Sequence, residues 1–367
     1  MTTTSRRAIL ALADGTIFEG EAFGAVGEAA GDLVENTSPT GYQELLSDPA
    51  SYGRIVVFAC PEIGNVGVND ADFESPRIQA AGVVARHVAI APSSHRAQRP
   101  LPVELEAAGV PGIQGIDTRM LIRRLRREGP LAALLSTRPE ADPVAMAAKA
   151  KALPSAAAGD RVERVTTTKE YTVEAVGEAR HHVVAYDFGV KRSALRQLAA
   201  RGCRITVVPA STPASRALEL EPDGIFLSSG PEGEGSAAGA PEIVKGLLGR
   251  APILATHLGS HVLARALGAS TRRLQGAHRG ANQPARELAA GRVLITSQSH
   301  GRAVDEASLE NTGAVITHTS VNDGSIEGFS VPGLGIQAVQ FQPEASPGPR
   351  DALVVFDRFL QSMGGAA

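Results

Sequence analysis

The chain has 367 residues, 43% of them hydrophobic, and a formal net charge of −3, which is an ordinary composition for a globular protein with sizeable cores. Its length predicts two domains. Without a global basic field we expect neither nucleic acid nor a membrane surface as a partner, and no apolar run approaches the ~18 residues of a membrane-spanning helix. Two cysteines, Cys60 and Cys203, give no disulfide framework, so we expect a reducing, cytoplasmic location.

The first 150 residues predict one domain rich in strands and turns. Residues 8–24 contain two strand-like runs joined at Asp14-Gly15, a strong hairpin signal. Residues 115–129 predict an arginine-rich amphipathic helix with Asp117 or Thr118 as the N-cap and Gly129 as the C-terminal stop. Its five arginines either bind an anionic ligand or form a solvated or subunit-facing surface, as charge runs usually do.

The second half of the chain predicts an α/β domain. We expect residues 151–180 to be a linker that follows a helix at 143–152 and includes a strand at 171–173, and the second domain to span 181–367. This domain begins with a β-α-β pattern, and further apolar runs supply more strands. The pattern predicts an open, mostly parallel sheet flanked by helices. The apolar runs are 183–186, 205–208, 293–296, 314–317, 326–329 and 335–341.

The stretch 251–270 is the most informative for function. An apolar run, 252–255, leads into a turn at His257-Leu258-Gly259, and apolar residues then recur at helical spacing. Strand, sharp turn and helix form a nucleophile elbow, which holds one side chain at the N-terminus of a helix. The side chain at the tip of this elbow is His257.

Residues 252–268 resemble the active-site elbow of class I glutamine amidotransferases, and above all the small subunit of carbamoyl-phosphate synthetase. The strings Asn-Thr-Ser at 36–38, Thr-Gly-Tyr-Gln-Glu at 40–44, Gly-Asn-Val-Gly-Val-Asn-Asp at 64–70 and Ile-Asp-Thr-Arg at 116–119 resemble the N-terminal domain of that subunit. The resemblance runs from about residue 8 to residue 360. It implies a β-rich α/β N-terminal domain followed by an amidotransferase domain.

The resemblance also implies that catalytic residues have been substituted. The family attacks glutamine with a cysteine thiolate, and a histidine oriented by a glutamate moves the protons. The nucleophile position is His257 here, and the base position is Gln342, whose amide cannot take up a proton near neutral pH. Only Glu344 is retained. We therefore expect the glutaminase activity to be lost.

The glutamine pocket implied by the resemblance is altered as well. Glu232 and Arg302 add charge and bulk where a neutral amino acid is expected to bind. They either recognise a different, charged ligand or pair with each other across an empty cleft. A family serine aligns with Ala50, beside Ser51. The pocket positions are Gly230, Glu232, Leu258, His261, Ser299, Gly301 and Arg302.

Three hypotheses follow. In the first, the chain pairs with a large synthetase subunit, which would itself bind ATP and magnesium and make carbamoyl phosphate from bicarbonate, ATP and ammonia; we expect no cofactor in this chain. The second is a stand-alone binding or regulatory protein with a remodelled pocket. The third is a metal site made of His257, His261 and Glu344, because the histidines have the i, i+4 spacing that lets two imidazoles share a metal.

Overall fold

A computed structural model describes residues 6–153, 159–233 and 235–364. The chain divides into two compact units, residues 1–158 and 159–367, and each unit has its own apolar core. None of the described helices combines the length and the apolar character needed to cross a membrane.

The first unit contains a β-rich core with short helices. Its described strands are β1 (Arg7–Leu12), β2 (Ile17–Gly24), β3 (Glu28–Asn36), β4 (Arg54–Phe58), β5 (Glu62–Ile63), β6 (Gly82–Val84), β7 (His87–Val88), β8 (Pro111–Gln114) and β9 (Leu131–Ser136). Its described helices are α1 (Tyr42–Ser47), α2 (Leu101–Ala107), α3 (Thr118–Glu128) and α4 (Pro143–Lys151).

Seven of these strands close into a barrel in the order β1-β2-β8-β6-β4-β3-β9. The barrel begins with the predicted hairpin, where Gly15 adopts a φ of 90° and the Thr16 N–H donates to the Asp14 carboxylate at 2.8 Å. The hairpin prediction is therefore confirmed. The closure itself depends on the antiparallel pairing of β1 with β9, which lie far apart in sequence.

Helix α3 is the arginine-rich helix expected from the sequence. The Asp117 carboxylate accepts the Met120 N–H at 2.9 Å and so caps the helix, and Gly129 ends it with a φ of 84°. Its buried side chains include Leu121 and Leu125, while Arg124 pairs with Glu128 at 3.0 Å. The predicted cap and stop are confirmed.

The second unit contains one large sheet with helices. Its described strands are β10 (Tyr171–Val173), β11 (His181–Asp187), β12 (Cys203–Pro209), β13 (Gly224–Leu227), β14 (Ile253–Thr256), β15 (Thr271–Glu287), β16 (Arg292–Val304), β17 (Val315–Ser320), β18 (Ile326–Val331) and β19 (Ile336–Val339). Its described helices are α5 (Arg192–Ala199), α6 (Ala214–Glu219), α7 (Ala240–Lys245), α8 (Leu258–Ala266), α9 (Glu306–Leu309) and α10 (Val354–Met363).

The sheet has the order β10-β12-β11-β13-β14-β19-β18-β17-β15-β16. Strands β12, β11, β13, β14 and β19 are mutually parallel, which confirms the α/β prediction, and β15 to β18 extend the sheet in antiparallel fashion. Along β11, Val184 and Tyr186 enter one apolar cluster while Val183 and Ala185 enter the other. This alternation packs apolar residues on both faces of the sheet, as expected where helices cover both faces.

The segment 159–180 differs from the predicted linker. The Val162 side chain is only 2% exposed and joins the apolar core of the second unit. Strand β10 pairs antiparallel with β12. Because these contacts bury apolar area and satisfy backbone groups, most of the predicted linker 151–180 is an integral part of the second unit. The helix predicted before this segment and the strand predicted within it are confirmed as α4 and β10.

Candidate functional site

The elbow has the strained backbone of a strand-to-helix turn. His257 lies between β14 and α8 with φ 49° and ψ −114°, a conformation that costs a non-glycine residue of the order of 1–3 kcal/mol. Its N–H donates to the Val339 carbonyl at 2.9 Å. The first turn of α8 needs a glycine at position 259, because a Cβ on Gly259 would lie 2.2 Å from the Leu227 oxygen. The predicted elbow geometry is therefore present, with the helix beginning at Leu258.

The imidazole of His257 is buried and contacts a backbone carbonyl. Its side chain is completely buried, and Nε2 lies 3.1 Å from the backbone oxygen of Ser299. A carbonyl oxygen only accepts hydrogen bonds, so the contact assigns the ring hydrogen to Nε2. In this tautomer the lone pair of the ring lies on Nδ1 and not on Nε2.

Gln342 and Glu344 lie on the segment that follows β19, the strand that pairs with β14. The backbone N–H of Gln342 donates to the Ser297 carbonyl of β16 at 2.9 Å. The carboxylate of Glu344 lies 2.8 Å from Nζ of Lys191, and both side chains are almost completely buried. Lys191 also donates to the Ser346 carbonyl. The retained glutamate is thus held by a lysine that sequence reasoning did not single out.

Glu232 fills the region implied as the substrate pocket. Its side chain is 6% exposed, its Oε2 accepts the Gly301 N–H at 2.7 Å, and its Oε1 lies 3.9 Å from Nδ1 of His261. The three residues come from three segments of the chain that the resemblance assigns to substrate binding. One carboxylate therefore joins all three segments.

The buried charges around Glu232 are interdependent. Burial lowers the pKa of His261 to about 4 despite the opposing attraction of Glu232, so this imidazole is neutral at pH 7. Burial alone would raise the pKa of Glu232, whereas the Gly301 N–H, which donates to its Oε2, lowers it.

Arg302 does not extend the pocket toward a ligand. Its guanidinium donates to the backbone oxygen of Thr271 at 2.9 Å and to the Thr271 hydroxyl at 3.2 Å. Of the two alternatives for these side chains, the pairing of Arg302 with Glu232 is not observed, because Arg302 bonds to Thr271 and Glu232 to Gly301. Ser299 lies beside the elbow through its carbonyl contact with His257.

Gly230 and Leu258 bound the same region. A Cβ on Gly230 would lie 2.0 Å from the Phe188 oxygen and 3.0 Å from the Leu258 side chain. Only a glycine fits at this position, because a backbone carbonyl cannot move aside cheaply. Gly230 therefore packs closely against the residue that begins α8.

A cluster of histidines and carboxylates beside the elbow was missed in the sequence. His278 and His300 are cross-strand partners on β15 and β16, and Glu327 lies on β18. His278 contacts Glu327 and Asp323, each at 3.0 Å. These residues are separated by up to 49 positions, so only the strand register could have found them. Among the described residues, the side chains close enough to share a metal ion are His278, His300 and Glu327. The hypothetical set of His257, His261 and Glu344 does not form such a group, and Glu344 contacts Lys191.

Comparison with known proteins identifies both halves of the chain. Residues 10–135 match the family model for the carbamoyl-phosphate synthase small chain, CPSase domain, and residues 184–362 match that for glutamine amidotransferase class-I. The chain is 45% identical to the carbamoyl phosphate synthase small chain of Syntrophotalea carbinolica, over 97% of this chain and 98% of that one. It is 43% identical to the small chain of Pseudomonas aeruginosa, over 98% and 99% of the two chains.

A relative with a more specific name is also similar. The pyrimidine-specific small chain of Halalkalibacterium halodurans is 42% identical, over 96% of each chain. The matches span both units in the same order and cover nearly the whole of each relative. The chain therefore belongs to the carbamoyl phosphate synthase small chain family.

Proposed function

We propose that this protein is a carbamoyl phosphate synthase small subunit that does not hydrolyse glutamine and that supports a large subunit working on free ammonia. Thioester chemistry needs a nucleophile, a base and a group that orients the base. His257 donates its Nε2 hydrogen to a carbonyl, Gln342 cannot act as a base, and Glu344 is paired with Lys191. None of the three positions performs the role that the family implies for it.

The observation that carries the proposal is the position of Glu232. Its carboxylate accepts the Gly301 N–H and lies beside His261, and the resemblance assigns both positions to glutamine binding. Removing a carboxylate from a buried hydrogen bond costs far more than a weakly bound amino acid returns. A glutamine molecule would have to displace this side chain. The alternative of a stand-alone binding protein meets the same obstacle, because a new ligand would need the same space.

The second part of the proposal, a supporting role toward a large subunit, is based on membership of the small chain family. A small subunit that contributes no ammonia can still stabilise or regulate the large subunit, which would supply ATP and magnesium binding and all the chemistry on bicarbonate. In such a complex, ammonium from solution replaces glutamine as the nitrogen source. No cofactor of this chain is needed for that role.

The test is synthesis by the reconstituted complex. The natural protein is co-expressed with the large subunit from the same source, and carbamoyl phosphate formation is measured with ammonium and with glutamine as alternative nitrogen donors. We expect the two chains to co-purify and the complex to use ammonium only. Glutamine-dependent synthesis would contradict the loss of glutaminase activity, and failure to form a complex at micromolar concentration would contradict the partner.

A further inference from the structure

The second unit contains a buried group of three side chains with the composition of a metal site. His278, His300 and Glu327 are 7%, 0% and 0% exposed, and one potential ligand atom from each lies within 4.8 Å of the other two. His278 Nδ1 is 3.0 Å and His300 Nε2 is 3.4 Å from Oε1 of Glu327. Zinc–ligand bonds of about 2.0–2.1 Å in a tetrahedron place neighbouring ligand atoms about 3.3 Å apart. The observed spacings have this magnitude.

The backbone positions these groups through the strand register. His278 and His300 are directly opposite each other on β15 and β16, and the β15–β16 pairing is interrupted by irregularities on both sides of His278. Bulges of this kind re-aim side chains. Glu327 reaches the two histidines from β18. Its own backbone carbonyl accepts the N–H of Gln340, directly after β19, at 2.8 Å, which fixes the end of β19 beside it. The site is therefore built on rigid strands.

The outer hydrogen bonds select the ring nitrogens that would bind a metal. His300 Nδ1 lies 2.8 Å from the Arg302 carbonyl, which only accepts, so Nδ1 carries the hydrogen. His300 Nε2 faces Glu327 Oε1 at 3.4 Å and the Gln298 side chain at 3.3 Å. His278 Nε2 lies 3.0 Å from the Asp323 carboxylate, which leaves Nδ1 facing Glu327. A ligating histidine typically donates its other N–H to a carbonyl or carboxylate in this way.

The balance of charge also favours a cation at the centre. Nδ1 of His278 and Nε2 of His300 both face Oε1 of Glu327, and the centroids of the two rings lie 4.9 Å apart. The other carboxylate oxygen of Glu327, Oε2, is buried without a hydrogen-bond partner among the described residues. A divalent cation satisfies the lone pairs and neutralises Glu327 together with Asp323.

We propose that His278 Nδ1, His300 Nε2 and the Glu327 carboxylate bind a divalent cation of the zinc class. Two imidazoles and one carboxylate are a known zinc ligand set that leaves a fourth coordination position for water. Asp323 orients His278 and, with a side chain 40% exposed, connects the buried group to solvent as an entry route. The proposal does not depend on the loss of glutaminase activity.

The test is the metal content and zinc affinity of the untagged, full-length protein. It is dialysed against a chelator, loaded with zinc and freed of excess metal, and zinc is measured by elemental analysis. We expect about one equivalent per chain. His278→Gln and Glu327→Gln should reduce binding to background, and Asp323→Asn should weaken the zinc affinity by about 10–100-fold. His318→Gln, which changes a buried histidine of β17 outside the group, should retain the metal.

Circular dichroism of each variant establishes that it is folded. Cobalt loading of the natural protein gives a second readout that does not require any variant, since tetrahedral cobalt absorbs strongly in the visible region. Zinc below about 0.1 equivalent after loading, together with no visible band from cobalt, would overturn the proposal and leave a proton-linked histidine–carboxylate network. Zinc that binds equally well to His278→Gln would also overturn it.

Discussion

The carboxylate of Glu232 accepts the backbone N–H of Gly301 at 2.7 Å, within the region that the family resemblance assigns to glutamine. This contact bears directly on the proposed loss of glutaminase activity. A protein that lost only its nucleophile would keep an open pocket, whereas here the pocket is bridged by the protein's own side chain. Restoring the catalytic residues should therefore not be sufficient to restore the reaction.

Restoring glutaminase activity should require changes in the pocket as well as in the catalytic residues. The double variant His257→Cys/Gln342→His should remain at background for ammonia release from glutamine, because Glu232 still fills the pocket. Adding Glu232→Gly and His261→Gln should raise the rate at least about 10-fold over the double variant, since substrate binding and chemistry are both required. Calorimetric titration with glutamine supplies the matching binding measurement. Equal rates for the double and the quadruple variant would show that Glu232 is no obstacle.

The elbow should be intolerant of a methyl group at Gly259. Gly259→Ala places a Cβ 2.2 Å from the Leu227 oxygen, and overpacking against backbone should destabilise the second unit by at least about 1–3 kcal/mol. Gly239→Ala is the control, because its φ of −81° is allowed for alanine and nothing lies within 4 Å of its added Cβ. Urea unfolding of both variants gives the comparison. Similar stabilities would contradict the close packing of the elbow.

The Lys191–Glu344 pair should be important for stability. Lys191→Met leaves a buried carboxylate without its lysine, which should cost about 3–5 kcal/mol. Lys245→Met is the matched control, because Lys245 and Glu242 form an exposed pair 3.8 Å apart and such pairs contribute less than about 1 kcal/mol. Thermal unfolding distinguishes the two. A small loss for Lys191→Met would mean that Glu344 is stabilised by other groups.

Buried histidines should make the protein less stable in mild acid. Burial lowers the pKa of His318 to about 4, whereas an unfolded histidine titrates near about 6.5. Between these values the unfolded state binds a proton that the folded state does not, so stability falls as pH falls from about 6.5 to about 4. His261 contributes in the same direction, because burial also lowers its pKa to about 4.

The pH dependence is tested with His318→Gln. Between pH 7 and pH 5 the natural protein should lose of the order of 1–2 kcal/mol more free energy of unfolding than this variant does. His87→Gln, which removes an exposed histidine of β7, should lose as much as the natural protein. Urea midpoints at the two pH values provide the measurement. Parallel losses in all three proteins would contradict the account of His318.

The sequence was sufficient to predict features that depend on local pattern. The Asp14-Gly15 turn, the cap at Asp117 and the elbow at His257 each follow from a few neighbouring residues, and all three are present. The α/β class of the second unit also follows from the alternation of apolar strands and amphipathic helices. These elements need no knowledge of distant pairing.

The features that were missed depend on contacts distant in sequence. Strand β15 is 17 residues long but contains several charged residues and glycines, so its pattern does not indicate a buried strand. The barrel closes through β1 and β9, which local sequence does not link. The cluster of His278, His300 and Glu327 depends on the register of β15, β16 and β18. The contact of Glu232 with Gly301 likewise joins residues 69 positions apart.

The most direct test of the account is ammonia release from glutamine by the natural protein, measured alone and in the presence of the large subunit that we propose as its partner. The account predicts no release above background in either state, while the complex makes carbamoyl phosphate from added ammonium. Steady release of ammonia from glutamine, abolished by His257→Ala, would contradict it. That result would mean that an imidazole at this elbow performs the hydrolysis.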